Sequence, residues 1–184
     1  MIKQRRAFII GIRGTILTKK EKYFLIKYKP WGIILFSRNI KNLNQIKKLT
    51  KDIKKLFNDN KYPILIDQEG GRINRLKKFI NTRTFSGEYF GNLYKRDKKK
   101  FNFNYSIFIK GTSNILNDIG VNINTVPVLD LRKKNSSTII GDRSFSSDPS
   151  IVSKIGDFCI KIFSNQKIGT VIKHIPGHGL ARVD

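Results

Sequence analysis

Pro63-Ile64-Leu65-Ile66-Asp67-Gln68-Glu69-Gly70-Gly71-Arg72 is the stretch that decides how this chain is read. Its apolar run lacks the alternation of a half-exposed strand and suits a strand buried on both faces of a parallel sheet. The run stops at an acid, and a second acid and two glycines follow within five residues. Parallel β/α proteins carry their chemistry just past the carboxyl ends of strands, so these ten residues supply both a strand and a candidate site. Paired glycines permit a tight turn or a close backbone approach. A carboxylate and an arginine on such a turn can grip hydroxyl and carboxylate groups of a ligand, and Arg75 lies three residues further on. The glycine spacing is not the G-x-G-x-x-G of dinucleotide sites, and no P-loop occurs.

Working outward, similar apolar runs at 7–12, 32–36, 121–126 and 169–172 join 63–66 as strand candidates. Helical periodicity fills the gaps. Leu43, Ile46, Leu49, Ile53 and Leu56 recur at three and four with lysines opposite. A second helix is predicted over about 103–119, with Ile107, Ile115 and Leu116, and stops before Gly120. A third begins after Asp148-Pro149, a capping residue followed by proline at the first helical position, and carries Ile151, Ile155, Phe158, Ile162 and Phe163. No internal repeat or low-complexity linker divides residues 1–184, so one α/β domain is expected. Five strands with intervening helices suit an open doubly wound sheet or part of an eight-stranded β/α barrel, and the pattern alone does not choose.

The 39% hydrophobic content fits a globular class. The one cysteine, Cys159, excludes an intramolecular disulfide and sits in an apolar run where a thiol packs as a small hydrophobe. Basic residues precede the apolar stretch at 7–12, but Arg13 breaks it too early for a signal sequence, and no apolar run reaches membrane-spanning length. A cytoplasmic location without membrane insertion is therefore expected. The net charge of +24 raises a nucleic-acid reading. Its lysines, however, are scattered along helical stretches and accompany many Asn and Ile residues. All three residue types have A/T-rich codons, which favours composition bias on solvated faces over a functional anion-binding surface.

Several of the thirteen acids sit where β/α proteins place function: Asp67 and Glu69 after 63–66, Asp130 after Val126-Pro127-Val128-Leu129, and Asp184 after the fifth strand and its loop. The alternative is that they cap helices and pair with arginines. Arg143, in Gly141-Asp142-Arg143-Ser144-Phe145, suits an anionic or polar substrate group, or else pairs with Asp142 or Asp148. Lys173 and His174 close the fifth strand, and both histidines of the chain, His174 and His178, fall within five residues. Pro176 and Gly177 interrupt their i, i+4 spacing, and no cysteine joins them, so a substrate or catalytic role is favoured over a metal site or a structural pair.

Five ordered blocks carry a resemblance: Ile33-Ile34-Leu35-Phe36-Ser37-Arg38-Asn39, Asp67-Gln68-Glu69-Gly70-Gly71-Arg72, Pro127-Val128-Leu129-Asp130, Ile140-Gly141-Asp142-Arg143-Ser144-Phe145 and Lys173-His174-Ile175-Pro176-Gly177-His178-Gly179. Together they are similar to the family 3 glycoside hydrolases of the bacterial β-N-acetylglucosaminidase type. The resemblance implies a (β/α)8 barrel, of which this chain would hold about the first five β/α units. It implies retaining, cofactor-free hydrolysis of terminal non-reducing β-linked N-acetylglucosamine from muropeptides during cytoplasmic peptidoglycan recycling, by a monomer when full length. It places Asp67 on sugar hydroxyls, with Arg75, Arg143, Lys173 and His174 lining the same subsite.

Asp184 resembles the aspartate of the family's Asp-Ser-His element, which orients an acid/base histidine. That serine and histidine would fall beyond residue 184. The nucleophilic aspartate of a retaining glycosidase would lie later still, and Asp67, Glu69 and Asp130 correspond to other positions. The expectation is an N-terminal fragment that holds much of the sugar-binding half, is inactive alone, and leaves unpaired sheet edges that promote association. A non-catalytic saccharide binder is the alternative, ahead of a basic nucleic-acid binder.

Overall fold

Five strands pair in parallel in chain order: β1 (Arg6–Gly11), β2 (Pro30–Leu35), β3 (Ile64–Ile66), β4 (Ile123–Asn124) and β5 (Gly169–Thr170). The computed structural model describes residues 4–132 and 138–179. Parallel neighbours require crossovers, supplied by α1 (Lys19–Tyr28), α2 (Leu43–Leu56), α3 (Gly87–Arg96) with α4 (Lys98–Asp118), and α5 (Pro149–Asn165). The centre is β3, whose three side chains are all buried; Ile64 and Ile66 are opposite Ile33 and Leu35 of β2, and Leu65 is opposite Ile123 of β4.

Local chemistry sets the helix starts. Asn42 accepts from the Gln45 backbone N–H at 2.9 Å, opening α2, and Ile46, Leu49 and Ile53 then face the core. Asp148 accepts from Ser150 N at 2.8 Å, with Pro149 at the first position of α5. Asp97 accepts from Lys100 N at 2.9 Å and starts α4 five residues earlier than its apolar spacing predicts. Neither α1 nor α3 was expected. The first opens on a capping box between Thr18 and Glu21, and the second is capped by Ser86. Where α3, α4 and α5 meet, Phe90, Phe101, Tyr105 and Phe158 form an aromatic cluster, with Phe90 and Tyr105 centroids 4.3 Å apart. Cys159 is buried beside Tyr105, and burial pushes the pKa of its thiol up to about 12 despite a hydrogen bond with the Tyr105 side chain.

Strands β4 and β5 pair over only two residues each, and asparagine side chains continue the ladder. Asn122 accepts from Ile64 N at 2.8 Å and donates to Tyr62 O at 3.0 Å. Asn124 accepts from Gln68 N and donates to Gln68 O, both at 2.9 Å. Pro127 has no N–H to give, and pairing resumes beyond it at Val128 and Lys173. That bridge carries Lys173 alongside the end of β3. Apolar side chains stay in solvent at both edges of the described sheet: Ile9 on β1, and Val171 and Ile172 just past the end of β5. No helix among the described residues is long and apolar enough to cross a membrane.

Candidate functional site

Strand β3 delivers Asp67 at its carboxyl end, and the glycines turn the chain at once. Gly70 and Gly71 have φ of 100° and 55°, a region costly for residues with a Cβ. A Cβ on Gly70 would lie 2.3 Å from the Phe85 carbonyl oxygen. The turn sends Arg75 back towards Asp67, whose Oδ2 accepts from Arg75 Nη2 at 3.1 Å. On the other side, Asp67 Oδ1 accepts from Lys173 Nζ at 3.1 Å and from the Thr125 hydroxyl. Burial alone would raise the Asp67 carboxyl; Lys173, Thr125 and Arg75 outweigh it and hold the group below its usual value.

Glu69 lies one step further into the same cluster. Its side chain is 7% exposed and receives Arg143 in a two-pronged contact, Nε to Oε2 at 2.9 Å and Nη2 to Oε1 at 2.8 Å. Oε1 also meets Lys173 Nζ at 2.6 Å. Arg143 therefore pairs with Glu69 rather than with Asp142 or Asp148. Asp142 instead accepts from Arg72 at 2.9 Å, and Asp148 caps α5. Arg72 also donates to the carbonyls of Thr138, Ile139 and Ile140, which ties down the segment that presents Arg143.

The peptide bonds Lys173–His174 and Ile175–Pro176 are cis. His174 Nδ1 lies 2.5 Å from Asp130 Oδ2, and its Nε2 lies 3.5 Å from Arg143 Nη2. Asp130 also accepts from the backbone N–H groups of His174 and His178. Burial would raise the Asp130 carboxyl, but these donors hold it low. The His174 and His178 rings meet edge to face with centroids 5.5 Å apart. A cavity of about 420 Å³ opens beside them, lined by Asp130, Lys173, His174, Pro176 and Gly177.

Five residues singled out in the sequence, Asp67, Arg75, Arg143, Lys173 and His174, are thus brought into one network, and Glu69 and Asp130 join it. Three basic side chains face three carboxylates, a near-neutral polar array suited to an uncharged, hydroxyl-rich ligand. Asp184 lies outside the described residues. Thr125, which donates to Asp67 and accepts from Lys173 at 3.2 Å, was not anticipated; its position at the end of a strand was the available signal. Among the described residues, no group of three or more His, Cys, Asp or Glu side chains could hold a metal ion.

A parallel β/α sheet that gathers balanced acids and cations at the carboxyl ends of its strands defines a polar-ligand site of the β/α class. The Glycosyl hydrolase family 3 N terminal domain matches residues 9–184, and the chain belongs to that family. The beta-hexosaminidase of Hydrogenovibrio crunogenus is 32% identical over 176 residues, which is 96% of this chain and 48% of that protein. The beta-hexosaminidase of Thioalkalivibrio sulfidiphilus is 31% identical over 176 residues, 96% of this chain and 50% of that protein. NagZ from Neisseria gonorrhoeae, solved in complex with N-trifluoroacetyl-D-glucosamine, matches with a TM-score of 0.87 at 30% identity, covering 98% of this chain and 52% of that one. The chain spans about half the length of these curated relatives.

Proposed function

We propose that this chain supplies the sugar-binding part of a β-N-acetylhexosaminidase that removes terminal, non-reducing β-linked N-acetylglucosamine with retention of configuration. The observation that carries this reading is the Asp67 carboxylate held between Arg75 and Lys173 at the end of β3, with Arg143 and His174 converging beside it. An ionised carboxylate offers acceptors to two adjacent hydroxyls, while Lys173 and Arg143 offer donors to their oxygens. In this reading the five strands are the first five β/α units of an eight-stranded barrel. The substrates are muropeptides, handled in the cytoplasm.

Bond cleavage by retention needs a nucleophilic carboxylate and an acid/base group. Asp67, Glu69 and Asp130 are each committed to cations or N–H donors, which favours binding and orienting roles for them. Asp184 is assigned to polarising an acid/base histidine. The test is hydrolysis of a chromogenic β-N-acetylglucosaminide: the full-length protein turns it over, and the 184-residue chain alone does not. Turnover by the purified 184-residue chain would contradict this division of labour. The commitment of all three carboxylates equally supports a second reading, a saccharide binder without catalysis, which predicts sugar binding but no turnover by any form of the protein.

A further inference from the structure

We propose that Asp130 is a positioning residue that fixes His174 as its Nδ1–H tautomer, turns Nε2 to the sugar site as a hydrogen-bond acceptor, and anchors the following loop through the same carboxylate. The sugar-facing part of this inference rests on the function proposed above.

The Asp130 side chain is completely buried, and three donors converge on it. Oδ2 lies 3.1 Å from His174 N and 2.5 Å from His174 Nδ1, while Oδ1 lies 2.5 Å from His178 N. An ionised carboxylate only accepts, so the ring nitrogen facing it carries the proton. Across the ring, Nε2 faces Arg143 Nη2 at 3.5 Å, and a guanidinium only donates. A proton on Nε2 would set one N–H against another. The two partners together therefore select a single tautomer, as expected when one ring nitrogen's hydrogen bond determines the state of the other.

Arg143 cannot readily swing away to relieve this, because Glu69 holds its guanidinium in the two-pronged contact. The outcome is a single lone pair on Nε2, engaged only by the long 3.5 Å contact from Arg143 and able to exchange it for a shorter bond from a ligand hydroxyl. Because His178 N shares the carboxylate with His174, ring orientation and the 175–179 loop are set by one group.

Long-range 1H–15N NMR of the 15N-labelled protein reads the tautomer directly. The 184 residues contain two histidines, and His178→Gln identifies the His174 signals. The expected spectrum at neutral pH shows a protonated-type Nδ1 and an unprotonated-type Nε2 for His174. Asp130→Asn should mix the tautomers, since an amide both donates and accepts, and should weaken N-acetylglucosamine binding about tenfold. A dominant Nε2–H tautomer in the unsubstituted protein, or an Asp130→Asn variant with unchanged tautomer and affinity, would overturn the proposal. Should the variant not fold, the spectrum of the unsubstituted protein decides alone. Should the unsubstituted protein bind no N-acetylglucosamine, the sugar reading falls while the ring spectrum still decides the tautomer.

Discussion

Lys173 and Asp67, 106 residues apart in the chain, meet with Nζ 3.1 Å from Oδ1, and the same ammonium lies 2.6 Å from Glu69 Oε1. One cation thus joins the end of β3 to the segment that follows β5. Removing one member of a buried ion pair leaves an uncompensated charge and costs about 3–5 kcal/mol. Here Asp67 keeps Arg75 and Glu69 keeps Arg143. We therefore expect Lys173→Met to lower unfolding free energy by about 2–3 kcal/mol, measured by urea denaturation, and to abolish sugar binding. A loss under about 0.5 kcal/mol, the level of ordinary surface substitutions, would mean that the cluster is not coupled.

Acid should weaken the same cluster. The carboxyls of Asp67 and Asp130 sit below their unfolded value of 3.8, because ion pairs and N–H donors outweigh burial. A carboxyl with a depressed folded-state pKa stabilises the fold above its unfolded pKa and loses that contribution as pH falls through the folded one. Unfolding free energy should therefore decline below about pH 4, and Asp67→Asn should be less stable at pH 7 with a shallower acid decline. Parallel curves for the two proteins would contradict this.

Two helical glycines should respond in opposite directions. A Cβ on Gly91 of α3 would lie 1.6 Å from the Phe145 carbonyl oxygen, whereas one on Gly111 of α4 would meet nothing within 4 Å. Gly91→Ala should destabilise by about 3 kcal/mol through overpacking. Gly111→Ala should stabilise by about 0.5–1 kcal/mol through helix propensity. Thermal melts of both variants check the pair.

The edges of the sheet make a prediction about association. Ile9 near one edge is 44% exposed, and Val171 and Ile172 near the other are 40% and 42% exposed. Exposed apolar edges invite pairing with other chains. Sedimentation velocity of the 184-residue chain should show concentration-dependent association, reduced by combined Ile9→Lys and Val171→Lys. A monomer at all concentrations would contradict it.

Much of this arrangement was legible in the sequence because it rests on local signals. The i, i+3, i+4 apolar set from Leu43 to Leu56 coincides with the observed limits of α2, and Asp148-Pro149 marks the start of α5. Strands at 32–36 and 63–66 read as continuous apolar runs because both their faces are covered. Helix α3 was invisible: Gly87 and Gly91 lower its propensity, and both are required by close backbone approach to 143–145. The expected strands at 121–126 and 169–172 proved shorter because Asn122 and Asn124 side chains take the place of backbone pairs and Pro127 has no N–H to give. Strand-end acids, Arg143 and the histidines were visible as candidates by position. Their pairing was not, since Glu69 and Arg143 are 74 residues apart and nothing local selects Glu69 over the nearer Asp142.

The central claim, that the Asp67 cluster holds N-acetylglucosamine, is tested most directly by calorimetric titration of the protein and of its Asp67→Asn variant with that sugar. The account predicts saturable binding to the unsubstituted protein and a loss of at least about tenfold in the variant, since a charged hydrogen-bonding partner contributes about 1.5–3 kcal/mol. No binding at millimolar sugar, or equal affinity in both proteins, would contradict it.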